Sequence, residues 1–103
     1  MSSMLHMINK SPFERNALDS CLRVAKSGAS VLLLEDGVYA GLANASHAEK
    51  ITSRMEDFNF YVLGPDVAAR GLSDLPLIEG MKTVDYEGFV DLVAEHDVSQ
   101  SWL

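Results

Sequence analysis

Apolar positions follow two rhythms along this chain, one of short unbroken runs and one of stripes at spacings of three and four. Residues 4–9 (MLHMIN) are apolar on both alternating faces, the pattern of a strand covered on both sides in a parallel sheet. After the turn NKSPF, Ala17, Leu18, Cys21, Leu22 and Ala25 form one apolar stripe, which predicts a helix over residues 16–27 stopped at Gly28. Residues 30–35 (SVLLLE) predict a second strand, ended by the turn-forming pair Asp36-Gly37. Residues 38–58 are helix-compatible, with a break at Asn44-Ala45-Ser46 where Ser46 caps the second half. Residues 60–63 (FYVL) predict a third strand, and Gly64-Pro65-Asp66 opens a short helix stopped by Gly71.

The remaining third is less regular. Pro76 and Gly80 limit any strand there to about residues 81–84. Asp85 is placed to cap a last helix over residues 86–96, whose inward face would be Phe89, Val90, Val93 and Ala94. The tail VSQSWL reads as an edge strand. Strands alternating with helices through short connections predict a small three-layer α/β/α fold on a mainly parallel sheet of four or five strands. With 103 residues, one domain spanning 1–103 is expected.

Charge narrows the possible partners. The net charge is −7 and no basic cluster is longer than two residues, so a surface that tracks phosphates has nothing to build it, and direct nucleic-acid binding is not expected. The start MSSMLHMINKSP lacks the features of a signal peptide, and the longest apolar run, residues 31–34, is far too short to cross a bilayer. A cytoplasmic protein is expected, without membrane contact. The hydrophobic share of 48% is high for a small surface and, with Trp102 next to the chain end, points to burial against other subunits.

Ligands of open parallel sheets collect at the carboxyl ends of the strands, here NKSPF, EDGV and GPD. None is a glycine-rich phosphate cradle, and neither a cofactor motif nor metal-ligand spacing is present. Asn9-Lys10 and Leu63-Gly64 stand where a phosphorylatable receiver needs acidic residues. Glu35 and Asp36 read as a solvated strand-end cap, and Asp66 and Arg70 as a helix-surface pair whose arginine could also favour a nearby thiolate or carboxylate. His6 reads as a hydrogen-bonded core histidine, His47 and His96 as surface helix residues. The single cysteine, Cys21, is a buried thiol, a reactive thiol or an intermolecular partner. Its mid-helix position on the inward stripe offers no helix N-terminus to lower its pKa.

Four segments in order, LHMINKSPFERNALDSCL, VLLLEDGVYA, YVLGPDVAARGL and VDYEGFVDL followed by SWL, resemble the DsrH/TusB family over nearly the whole chain. The resemblance implies a flavodoxin-like subunit of a cytoplasmic heterohexamer, two copies each of three homologous chains, with DsrE-like and DsrF-like subunits as partners. It implies a sulfurtransferase complex that passes persulfide sulfur from a TusA-type donor to a DsrC- or TusE-type acceptor. In the DsrH branch the sulfur serves oxidation of stored sulfur; in the TusB branch it serves 2-thiolation of the wobble uridine of certain tRNAs. Cys21 matches the cysteine typical of DsrH-type chains and missing from many TusB-type chains, which favours the sulfur-oxidation branch.

The principal sulfur carrier of the family lies on the DsrE/TusD-type subunit. The primary reading is therefore a structural, partner-binding subunit, with Asp36, Arg70 and Trp102 as interface candidates. Two readings stand beside it: Cys21 as an auxiliary persulfide carrier, which needs an exposed thiolate, and a non-catalytic α/β binding module whose resemblance is one of fold alone.

Overall fold

The computed structural model describes residues 4–12, 16–45, 47–96 and 98–102. Five strands, β1 (Met4–Ile8), β2 (Ser30–Leu33), β3 (Asn59–Leu63), β4 (Lys82–Val84) and β5 (Val98–Trp102), form one sheet in the order β4-β3-β2-β1-β5. Every neighbouring pair is parallel, as the strand pattern predicts. The three-layer α/β/α arrangement is thus borne out.

The helices are α1 (Ala17–Val24), α2 (Ala48–Thr52), α3 (Gly64–Ala69) and α4 (Tyr86–Glu95), with a 3-10 helix over Glu35–Gly41. The first three crossovers carry the chain in one direction from β1 to β4. The fourth runs back through α4 and sets β5 beside β1. This reversal splits the core in two. On one face Ile8, Val31, Leu33, Phe60 and Val62 pack with α1, α2 and α3 through Leu18, Cys21, Leu22, Ile51 and Val67. On the other face Leu5 and Leu32 meet α4 through Leu92, with Met7, Tyr61 and Phe89 half-buried around them. The second layer is thin because one helix covers it.

Three expectations are corrected. Helix α1 is shorter than predicted, because Ala25 is already extended and Gly28 turns the chain at a φ of +93°. Residues 38–58 hold little α-helix: after β2 the chain winds as the 3-10 helix, and α2 has only five residues. Gly37 shows why the chain keeps so close to the sheet, since a Cβ there would lie 2.0 Å from the Ile8 carbonyl oxygen. The cap assigned to Ser46 lies outside the described residues.

The third correction concerns α4. Asp85 caps it as expected, its Oδ1 accepting from the Gly88 N–H at 2.8 Å. Its inward stripe, however, is Phe89, Leu92 and the following His96, whereas Val90 is 63% exposed and Val93 and Ala94 are exposed as well. His96 is a clamp and no surface residue: its ring bonds to the Leu92 carbonyl and, at 2.9 Å, to the Ser30 hydroxyl at the start of β2. Among the described residues no helix is long and apolar enough to cross a membrane.

Candidate functional site

Cys21 sits in the middle of α1, facing the sheet, with no exposed surface. Its neighbours on the helix, Leu18 and Leu22, are buried in the same cluster. Burial disfavours the thiolate and pushes the Cys21 thiol up to about 12. A neutral, enclosed thiol packs as a small apolar group and is a poor nucleophile.

The carboxyl ends of β2 and β3 carry a tighter arrangement than the sequence suggests. Glu35 leaves β2 with a φ of +49°, in the left-handed region that a residue with a Cβ rarely takes. Its N–H donates to Asp66 Oδ2 at 2.6 Å, so the first turn of α3 holds the strained residue in place. Arg70, at the end of the same helix, reaches back and donates through Nε to Asp36 Oδ1 at 2.8 Å. The contact with Asp66 predicted from sequence is also made, Arg70 Nη1 lying 4.0 Å from the Asp66 carboxylate and donating to the Asp66 backbone carbonyl at 3.4 Å. Arg70 thereby joins two strand ends as well as pairing along its own helix. Half the Asp36 side chain stays in solvent while Arg70 is 24% exposed, leaving a carboxylate edge open to a neighbour. The cap reading of Glu35 and Asp36 stands, but the cap is built on α3.

Trp102, on edge strand β5, folds back toward β1 and is half-buried. Its indole N–H donates to His6 Nδ1 at 3.1 Å. An indole nitrogen can only donate, so His6 Nδ1 accepts and the neutral ring carries its proton on Nε2. His6 Nε2 is buried and finds no acceptor among the described residues. An orphaned buried donor costs roughly 1–3 kcal/mol. At the carboxyl end of β1, Asn9 Oδ1 is likewise buried without a partner among the described residues. The sequence assigned His6 and Trp102 to different ends of the chain and offered no signal for their pairing, which depends on β5 lying beside β1.

The four residues singled out from sequence do not converge. Asp36 and Arg70 meet at one strand end, Trp102 lies at the far edge on His6, and Cys21 is enclosed beneath α1. Among the described residues no cluster of His, Cys, Asp and Glu could hold a metal ion.

Comparison with known proteins locates the chain. A crystal structure of the ychN protein from Escherichia coli superposes with a TM-score of 0.82, covering 98% of this chain and 99% of that one at 20% identity, and so shares the fold. Protein TusB of Pectobacterium parmentieri is 34% identical over 99 residues, which span 96% of this chain and the whole of the relative. Protein TusB of Erwinia tasmaniensis is 38% identical over 100 residues, with the same coverage. The family profile described as DsrH like protein matches residues 10–99, taking in the enclosed Cys21, the strand-end cap and α4 alike. By this match over most of its length and by its full-length TusB relatives, the chain belongs to the DsrH family.

Proposed function

We propose that this protein is a TusB-type, partner-binding subunit of a sulfur relay that serves 2-thiolation of the wobble uridine of certain tRNAs. The observation that carries the reading is the full-length likeness to proteins named TusB. Oxidation of stored sulfur, the branch favoured from Cys21, is the second reading and rests on the family name. The cysteine itself lends it little weight, since an enclosed residue can be kept for packing in either branch.

In this reading the sulfur passes over another subunit. Transfer of a sulfane sulfur needs a thiolate that can reach its partner, and Cys21 is neither ionised at neutral pH nor accessible. The chain contributes surfaces. The outer stripe of α4, where Tyr86, Val90 and Val93 lie in solvent, is assigned to homologous subunits of a heterohexamer. The Asp36–Arg70 strand end faces the level at which a neighbouring cysteine loop or an acceptor tail would dock. Trp102 completes the opposite edge. A TusA-type donor and a TusE-type acceptor would meet the assembled complex in the cytoplasm, and the acidic chain would stay off the RNA.

The test is genetic and chemical. Deleting the gene is expected to remove 2-thiouridine from bulk tRNA, read by mass spectrometry, and a Cys21→Ala copy is expected to restore it. Normal 2-thiouridine in the deletion strain, with impaired oxidation of stored sulfur, would move the protein to the second reading. Failure of the Cys21→Ala copy, while the complex still assembles, would make Cys21 a carrier.

A further inference from the structure

Two rows of side chains lie side by side on the outward half of α4. Tyr86, Val90 and Val93, spaced by four and three, form an apolar row, with Tyr86 60% and Val90 63% exposed. Glu87, Asp91 and Glu95, spaced by four, form the second row, and all three are exposed. A shallow groove of about 430 Å³ runs along the start of both rows, lined by Tyr86, Glu87, Val90 and Asp91. Apolar and carboxylate groups therefore share one depression.

The chain itself does not answer the acidic row. Among the described residues the ion pairs are Lys50 with Asp19, Arg54 with Asp57, and Arg70 with Asp36 and Asp66, and none of them involves it. From residue 83 to residue 103 the sequence contains neither Lys nor Arg. Like charges four apart on a helix repel, and Glu95 in the last turn also meets the negative end of the helix dipole. The row thus works against the helix that carries it, and a face kept only for solubility does not need charges of one sign.

We propose that this groove docks a different subunit of the complex through an apolar patch rimmed by Lys or Arg, with apolar side chains against Tyr86 and Val90 and the cations against Glu87, Asp91 and Glu95. The proposal rests on the reading of the chain as a partner-binding subunit, and adds the chemistry of the partner's surface and the rule by which it is chosen. Complementary charge selects the partner. A second copy of this chain is a poor occupant, because it brings the same acidic row and the same net charge of −7 to the contact. The acidic row thereby makes the contact heteromeric, while the apolar row supplies the area that the contact buries.

The experiment measures association of the full chain with the homologous subunits of its own organism, co-expressed and purified without it, by sedimentation velocity and calorimetry. Association is expected to weaken at least about tenfold between about 50 mM and about 500 mM salt. The triple variant Glu87→Gln, Asp91→Asn, Glu95→Gln should bind at least about tenfold more weakly at low salt and lose most of that salt dependence, while its thermal midpoint stays the same or rises. Asp91→Lys alone should weaken binding further than Asp91→Asn alone. Wild-type affinity and salt dependence in the triple variant would overturn the proposal and leave the subunit reading intact. Failure of the wild-type chain to bind its homologues would overturn both. Self-association of the wild-type chain that Val90→Asp abolishes would also overturn the proposal, since a second copy would then be the occupant.

Discussion

The Trp102 indole N–H donates to Nδ1 of buried His6 across 3.1 Å, linking the last described residue of the chain to its first strand. The bond exists only while His6 is neutral, because a proton on Nδ1 would face the indole N–H. Burial lowers the His6 pKa from its ordinary value of 6.5. The unfolded chain therefore takes up the proton first as pH falls. The stabilisation is complete above 6.5 and is lost as pH drops below that value through the folded one. Urea denaturation between about pH 8 and about pH 5 is expected to show this loss, together with a change in Trp102 fluorescence. The loss should be smaller in His6→Phe, and equal slopes in both proteins would refute the assignment.

Cys21 gives a sign in the alkaline direction. The folded thiol holds its proton to about 12, against an ordinary value of 9.0, so stability is intact below 9.0 and declines as pH rises toward 12. At neutral pH the thiolate fraction is about a thousandfold below that of an exposed cysteine, and alkylation of the native protein should be slowed at least that much. Iodoacetamide labelling with and without denaturant measures it. Cys21→Ala is expected to cost about 1 kcal/mol. Cys21→Ser should cost roughly 1–3 kcal/mol, because its hydroxyl enters an apolar cluster.

Two residues at the end of β2 should respond oppositely to substitution. Gly37→Ala would press a methyl group onto the backbone carbonyl of Ile8, which cannot swing aside, and a loss of about 4 kcal/mol or more is expected. Glu35→Gly removes a Cβ from a left-handed backbone and keeps the N–H bonded to Asp66, so stability should be unchanged or rise by up to about 1 kcal/mol. Chemical denaturation of the two variants checks both.

If the outer stripe of α4 carries the proposed contacts, substitution there should separate folding from assembly. Val90→Asp replaces a largely exposed valine and should change the stability of the isolated chain by no more than about 0.5 kcal/mol. It is expected to abolish co-purification with the homologous subunits. Retained co-purification would move the interface elsewhere.

The strands were legible because each is a short apolar run bounded by turn residues, and β1, β2 and β3 begin or end within two residues of where the pattern places them. The last helix was legible from Asp85, but not its facing. A helix packed alone on a sheet buries a narrow stripe, and Val90 and Val93 lie outside it. The segment after β2 was misread because an apolar pattern compatible with an α-helix was taken up by a 3-10 helix held against β1 through Gly37. Arg70 was seen as a helix-surface residue since its partner Asp36 is 34 positions away, across a contact that sequence spacing does not encode. His6 and Trp102 were each visible, one as a core histidine and one as an unusual tail residue; their meeting follows from strand order, which no local signal carried.

Strand order also governs how the chain comes into being. β1 is made first, yet one of its two edges has no neighbour until residues 98–102 have been synthesised. Before those residues emerge, β1 to β4 can pair, but the strand that covers β1 is still missing. The sheet is completed only once β5 is available, and until then the open edge of β1 is the place where a nascent chain is exposed to pairing with the wrong strand.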